Sequence, residues 1–476
     1  MITIFFDEAS STPLYEQLYR KLKEMILSST LKASDKLPSK RKLASHLKCS
    51  EVTVESAYLQ LMAEGFIRSV PRSGYFVEEI DPFFHSNQKE LKVVKQNIRF
   101  TYEFDLKTNL VDDTHFPYQV WNKIMKNVYQ PEYASELNDI PFEGYYPLRK
   151  EIAKYVLSYR GISVLPEQII VGSGSDYLLQ LITLILGKEE HYMIENPSFV
   201  KTKRLYESFG CSVKFGNLDE NGLSTHDLIS HGASVVHVSP SHQFPTGIVM
   251  PYSRRIELLK WANEDAKHYI IEDDYDSEFR FIGNPIPALK GLDQYDKVIY
   301  MNSFSKSLSP TKRISFMILP LELLKILEEQ YKFFSNPVTM SEQIGLYLFM
   351  KDGHFERHLN RMKQLYKSKR DDFIEILERS PILHDRIQIE GESAGLHFIV
   401  RFDKELSEEL MTLEAKKKSL RLYPLSEYCF ENEKRFQNKF VFGYAHLTKE
   451  NMMKIVSILE RVVEDVLLLK KTNNER

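Results

Sequence analysis

Cysteine is scarce in this sequence: Cys49, Cys211 and Cys429 are scattered through 476 positions. An odd set without CxxC spacing argues against a disulfide framework or a zinc site. It points instead to a reducing compartment, and a cytoplasmic location is expected. No apolar run reaches the roughly 18 residues of a membrane span, so no membrane partner is expected. The opening MITIFFDEAS carries acid where a secretory leader carries base. Positive charge is not in excess either, with 63 Lys and Arg against 66 Asp and Glu. A nucleic-acid partner therefore has to be held by a local basic patch. A complete dinucleotide fingerprint is missing too. Gly172-Ser173-Gly174 begins one, but Tyr177 holds the third-glycine position. Internal repeats and low-complexity tracts are absent.

What is there exceeds one ordinary core, and two or three units are expected. Residues 1–80 read as a small unit. Pro13 opens a helix at a favoured first position, and Leu14, Leu18, Leu22 and Ile26 form one apolar stripe. Ser39 and Ser50 stand where N-caps of a second and third helix belong. Gly65 stands where a helix stops. Two extended runs, Phe66–Val70 and Tyr75–Ile80, joined by Pro71-Arg72-Ser73-Gly74, give a hairpin signal. Three helices and a hairpin make a winged helix-turn-helix. A bundle that only dimerises would share the pattern, so charge decides. Between Arg20 and Lys48 stand nine Lys or Arg and two Asp or Glu, a bias that a solvated face seldom shows. Double-stranded DNA is the expected partner.

Residues 81–100 lack periodicity and read as a linker. From residue 101 to residue 476, apolar strand-like runs alternate with helical patterns. Examples are Gln168–Val171 before Tyr177–Leu186, then Val235–Val238, Tyr269–Glu272 and Val298–Met301. This is the pattern of an α/β domain with a mainly parallel sheet, which binds ligands beyond the carboxyl ends of its strands.

Four features lie at those strand ends. Gly172-Ser173-Gly174-Ser175-Asp176 precedes a helix, where exposed amides and the helix dipole favour an anion. Most such turns bind nothing. Glu272-Asp273-Asp274-Tyr275 follows an apolar strand, where a protonated pyridine nitrogen would give a carboxylate its partner. For an isolated acid pair, a solvated strand end is the preferred explanation. Ser303-Phe304-Ser305-Lys306 follows another strand. A lysine forms a Schiff base only as the free amine, which burial and neighbouring cations favour. Arg313, seven residues on, could share a phosphate with both serines. Each feature is common alone. Together they make a phosphate cup, an acid for a ring nitrogen and an amine for an aldehyde.

The sequence resembles the MocR/GabR branch of the GntR regulator family over nearly its whole length. Leu37-Pro38-Ser39-Lys40-Arg41, Ala57-Tyr58-Leu59-Gln60-Leu61 and Arg72-Ser73-Gly74-Tyr75-Phe76-Val77 resemble the DNA-binding motifs. Pro240-Ser241-His242-Gln243-Phe244-Pro245-Thr246-Gly247, Glu272–Phe279 and Ser303–Lys306 resemble those of the second domain. The resemblance implies an N-terminal winged helix-turn-helix joined to a fold-type-I, pyridoxal-phosphate-dependent transferase-like domain with a smaller C-terminal α+β subdomain. It implies a homodimer whose amine or amino-acid effector, or pyridoxal 5'-phosphate itself, is sensed by exchange at the Schiff base. Lys306 matches the Schiff-base lysine, Asp273 the acid paired to the pyridine nitrogen, and Tyr275 the tyrosine near the ring hydroxyl. Phe199 matches the aromatic stacked on the ring. Ser173, Gly174, Ser175, Ser303, Ser305 and Arg313 match the phosphate cup. Lys40, Arg41, Thr53, Arg72 and Gly74 match DNA contacts.

Three departures stand out. Glu51 holds the place of an arginine at the start of the recognition helix. Phe244 replaces the asparagine of true aminotransferases. Phe440-Val441-Phe442 stands where the substrate-carboxylate arginine is expected, leaving Arg421, Arg435, Lys439, Lys201 or Arg204 as substitutes. The competing readings are a working aminotransferase with an accessory N-terminal domain, and a DNA-binding protein whose large domain has lost its cofactor. The first 80 residues oppose the former; the intact lysine, acid, serine and arginine set opposes the latter. No metal is expected.

Overall fold

The computed structural model describes residues 2, 4–7, 12–79, 100–282, 287–431 and 434–474. Nearly all of the expected linker lies outside these residues. The chain divides into two compact units, Met1–Arg99 and Phe100–Arg476.

The first unit runs α1 (Leu14–Leu27), β1 (Lys36–Leu37), α2 (Lys40–Leu47), α3 (Glu51–Ala63), β2 (Ile67–Val70) and β3 (Gly74–Val77). Leu18, Leu22 and Ile26 of α1 are buried, while Leu14 at its first position stays exposed. Ser39 Oγ accepts from the Lys42 amide and Ser50 Oγ from the Thr53 amide, so both serines cap their helices. Gly65 turns the chain out of α3 at φ +76°, a conformation costly for any side chain. The wing hairpin pairs β2 with β3 antiparallel, and β1 adds a third strand on the far side of β3. Tyr58, fully buried in α3, donates to the Pro38 carbonyl and ties α3 to the chain entering α2.

The second unit opens with β4 (Phe104–Asp105), α4 (Tyr118–Val128) and α5 (Tyr146–Arg160). Then come β5 (Ile169–Gly172), α6 (Ser175–Leu186), β6 (His191–Asn196), α7 (Val200–Ser208), β7 (Ser212–Asp219) and β8 (Gly222–Leu223). The chain continues through α8 (Thr225–Ser230), β9 (Val235–Val238), α9 (Tyr252–Glu264), β10 (Tyr269–Asp274), α10 (Leu289–Leu292), β11 (Val298–Ser303) and β12 (Ser315–Ile318). Next are α11 (Leu321–Tyr331), α12 (Met340–Lys351) and the 25-residue α13 (His354–Glu378). The last part holds β13 (Ile387–Glu390), β14 (His397–Phe402), α14 (Glu408–Lys417), β15 (Leu420–Arg421), β16 (Lys439–Gly443) and α15 (Lys449–Asn474).

The eight-stranded sheet has the order β5-β12-β11-β10-β9-β6-β7-β8. Its centre, from β11 to β7, is parallel, while β12 runs against both neighbours and β8 against β7. Strands β5, β9 and β12 are buried along their whole length, as expected of a sheet covered on both faces. Alternate residues serve opposite sides. Ile170, Ile271, Ile299 and Met317 meet the leucines of α6 and α11, while Val236, Ile270 and Val298 meet Leu258 and Trp261 of α9. A separate antiparallel sheet, β13-β14-β16, forms the smaller α+β part with α14 and α15. Among the described residues, no helix is long and apolar enough to cross a membrane.

Candidate functional site

The register of β5, β12 and β11 brings two distant loops together. Gly172 lies opposite Ser315, and Ser315 lies opposite Ser303. Ser315 Oγ accepts from the Gly174 amide at 2.7 Å and donates to the Gly172 carbonyl at 3.0 Å. The turn Gly172–Ser175 is thereby fixed beside the loop carrying Ser303, Ser305, Lys306 and Arg313. Ser303 Oγ and Ser305 Oγ are 2.8 Å apart, and Arg313 donates to the Ser173 carbonyl at 3.2 Å. Gly174 holds φ +106°, and a Cβ there would lie 3.2 Å from Arg313 Nη2. With Ser175 as the first residue of α6, the cluster combines helix amides, hydroxyls and a guanidinium. That donor set suits a phosphate dianion.

Lys306 follows β11, with Nζ 4.5 Å from the centre of the Tyr275 ring and 3.9 Å from Asp276 Oδ2. Burial holds its pKa below the ordinary lysine range, although Asp276, Asp273 and Glu278 oppose that shift. The amine is thus biased toward its nucleophilic form. Asp273 is on β10, with Oδ2 3.6 Å from His237 Nε2 on neighbouring β9, and Tyr206 is hydrogen-bonded to His237 Nδ1 at 2.9 Å. Asp274 points elsewhere, into a buried pair with Arg160 at 2.7 Å. Glu272 accepts from the Leu289 and Lys290 amides. Of the acidic run, then, Asp273 is the half-buried member at the strand end beside His237. Phe199 stacks on Phe244 at 3.6 Å between ring centres and meets Tyr275 edge-on. Tyr275 Oη is 3.1 Å from His242 Nδ1. Phosphate donors, acid, amine and aromatic wall all suit a phosphorylated pyridine aldehyde.

Sequence reasoning missed the supports of this site. Ser315, His237 with Tyr206, and the buried group His242, Asp276 and His397 are brought in by strand register and loop return. The motif Pro240–Gly247 held His242 without marking its role. Of the cations considered for an effector carboxylate, Lys201 is paired with Asp176 and Lys439 with Glu390, both at 2.6 Å. Arg435 donates to the Leu218 carbonyl, and Arg421 lies against the Tyr102 and Tyr423 rings. Arg204 is exposed on α7.

In the first unit, Arg41 is 90% exposed, and it lines an open depression with Ser39, Lys42, Ser45 and His46. Lys40 is paired with Glu55 of α3. Glu51 lies 3.9 Å from Arg41, so the acid that replaces a basic residue also offsets a neighbouring one. Thr53 shares a 2.8 Å hydroxyl contact with Ser50. Arg72 and Gly74 form the wing turn at φ +62° and +113°, with Arg72 exposed.

Fold and site together define a two-part protein, a winged DNA-binding unit and an aminotransferase-type unit. Residues 14–77 match the family described as bacterial regulatory proteins, gntR family, and residues 105–459 match aminotransferase class I and II. The chain is 38% identical over 434 residues to the uncharacterized HTH-type transcriptional regulator YdeL of Bacillus subtilis (strain 168), covering 89% of this chain and 92% of the relative. It is 28% identical over 472 residues to the probable rhizopine catabolism regulatory protein MocR of Rhizobium meliloti, covering 96% and 95%. It also matches the crystal structure of kynurenine aminotransferase from Pyrococcus horikoshii at TM-score 0.67 and 24% identity, covering 76% of this chain and 91% of that one. This last likeness shows the fold. The chain belongs to the MocR-type family of HTH-type transcriptional regulators, which carry a gntR-family domain ahead of an aminotransferase class I and II domain.

Proposed function

We propose that this regulator binds operator DNA through residues 1–80, and that residues 101–476 hold pyridoxal 5'-phosphate on Lys306 as an amine sensor, joined by a linker over 81–100. The observation that carries the reading is the Lys306 amine, its side chain 14% exposed and its pKa lowered, beside the hydroxyl and guanidinium cradle. The cofactor, when bound, supplies an aldehyde that condenses with amines and a ring that withdraws electrons. Ser173, Gly174, Ser175, Ser303, Ser305 and Arg313 hold its phosphate. Asp273, supported by His237, keeps a proton on the ring nitrogen. Phe199 covers the ring, and Tyr275 faces its hydroxyl. An amine effector that took the place of Lys306 would change the charge and contacts there, and would shift the balance between two shapes of the protein only by its differential affinity for them. Arg41 and Lys40 meet phosphates, Thr53 faces the groove, and Arg72 with Gly74 places the wing. The protein acts as a homodimer in the cytoplasm, where its DNA is.

Two features favour sensing over turnover. Phe244 stands at the asparagine position of true aminotransferases, and Lys201 and Lys439, two cations that could hold a substrate carboxylate, are engaged by acids. Borohydride reduction of the purified protein followed by peptide mapping is expected to place the cofactor on Lys306, and Lys306→Ala to lose the adduct while staying folded. Trapping on another lysine overturns the assignment. A panel of amino acids with a keto-acid acceptor, run beside operator binding, separates the roles. Sustained turnover with no amine affecting DNA binding returns the protein to the enzymes.

A further inference from the structure

Beside Lys306 lies a buried charge arrangement that the family motifs do not assign. Asp276, in the turn after β10, is 1% exposed, and its Oδ2 is 3.9 Å from Lys306 Nζ. His242, equally buried in the loop after β9, holds the same carboxylate through Nδ1 at 3.0 and 3.1 Å. Behind them stands His397 of β14, its ring centre 4.8 Å from that of His242. Gly395 lets this packing exist, because a Cβ there would come within 2.0 Å of the His242 ring. Burial, with His242 adding to it, pushes the His397 pKa down to about 3, so that ring is neutral. Desolvation would lift the Asp276 pKa, but His242 and Lys306 more than offset it and the carboxylate stays charged. Such a charge in the interior demands a partner of opposite sign. The three side chains present ligand atoms within 4.8 Å of one another, a grouping that can hold a metal ion. Lys306 Nζ, 3.9 Å from Asp276 Oδ2, is the group beside it that can take up a proton and answer that charge.

We propose that Asp276, clamped by His242, is the dock for the Lys306 ammonium whenever the lysine is not bonded to the cofactor, and that this dock sets how readily an amine displaces it. The inference rests on the proposed role of Lys306. As a carbon–nitrogen bond forms to the incoming amine, the one to Lys306 breaks. The incoming amine enters as an ammonium, and the hydrogens its nitrogen gives up end on the Lys306 nitrogen, which leaves as an ammonium. Charge is conserved, and neither an oxidant nor a reductant is needed. Without Asp276 the freed lysine would lose its nearest counter-charge, with Asp273 and Glu278 left to favour it, and exchange would be less favourable. Asp276 is therefore a positioning residue for the exchange. It acts through Lys306.

The test titrates the full-length, cofactor-loaded protein with methylamine, an amine with no carboxylate, and follows visible absorption. Asp276→Asn is expected to weaken methylamine binding about 10- to 100-fold, because a close charge pair in a buried site is lost. His242→Gln is expected to weaken it less, in the same direction. In a Lys306→Ala background no lysine needs docking, and Asp276→Asn is expected to leave methylamine affinity within about twofold. A double-mutant cycle of this kind isolates the coupling between the two residues. An equal loss in both backgrounds overturns the proposal, since Asp276 would then act on the amine itself. So does an unchanged affinity in folded Asp276→Asn, or about one equivalent of bound metal per chain in the purified protein. If Asp276→Asn does not fold, His242→Gln carries the same comparison. A wild-type protein without a chromophore on Lys306 defeats the underlying reading instead, so the two failures are distinguishable.

Discussion

Arg160→Met is a severe perturbation with a size that can be worked out. Arg160 ends α5 and is 6% exposed; its Nε meets Asp274 Oδ2 at 2.7 Å and its Nη2 meets Ser241 Oγ at 2.6 Å. Burial alone would lower its pKa, but Asp274 and the acids around it hold the guanidinium above its ordinary value. Methionine fills much of the same volume but leaves the Asp274 carboxylate, 1% exposed, without the guanidinium. Breaking a buried pair from one side costs about 3–5 kcal/mol. Tyr300 still donates to the same Asp274 oxygen at 2.6 Å, which places the loss near 3 kcal/mol, or about a hundredfold in the folding equilibrium. The only tryptophans, Trp121 and Trp261, both lie in the second unit. Tryptophan fluorescence under urea therefore follows that unit alone. Adding Asp274→Asn removes the orphaned charge and is expected to recover about half of the loss. A single variant that loses under about 1 kcal/mol, the worth of an exposed pair, refutes the reasoning. So does a double variant less stable than the single one.

Three further outcomes are expected. Burial pushes Glu195 up to about 8, above its unfolded value, so its contribution to stability is full at pH 4 and is lost as pH rises toward 8. Glu195→Gln is then neutral at pH 4 and stabilising at pH 8, on the order of 4 kcal/mol by the same fluorescence transition. Gly174→Ala puts a methyl at φ +106° against Arg313, and equilibrium dialysis is expected to show cofactor affinity about tenfold weaker. Arg41→Ala is expected to weaken binding to all DNA sequences alike and to reduce the salt slope by about one unit in gel-shift assays across a salt series.

Much of this was legible in the sequence because its signals are local. Ser39 and Ser50 cap their helices through contacts three residues away, and buried strands such as Val235–Val238 announce themselves as apolar runs. The cluster around Lys306 was legible because most of its members stand at or just past the carboxyl end of a strand. What the sequence hid depends on pairing between distant segments. Ser315 supports Gly174 from 141 positions away, through an antiparallel strand in a sheet that reads as parallel. His237 alternates into an apolar strand and gave no period of its own. Residues 36–37 are too short to signal a strand, and only the wing defines them as one. Asp276 sat inside a recognised motif, but its nearness to Lys306 comes from two separate strand ends converging.

The Ser315 hydroxyl has a consequence for motion. It is held by the amide on one side of the Gly172–Gly174 turn and by the carbonyl on the other, so the turn cannot open without freeing its own strand's edge. Amide exchange at Gly174 should therefore follow the slow breathing of β12 instead of the fast fraying of a surface loop. A ligand that tightens Arg313 on the Ser173 carbonyl would slow exchange in both segments together, and a phosphate-binding loop would inherit the lifetime of the sheet.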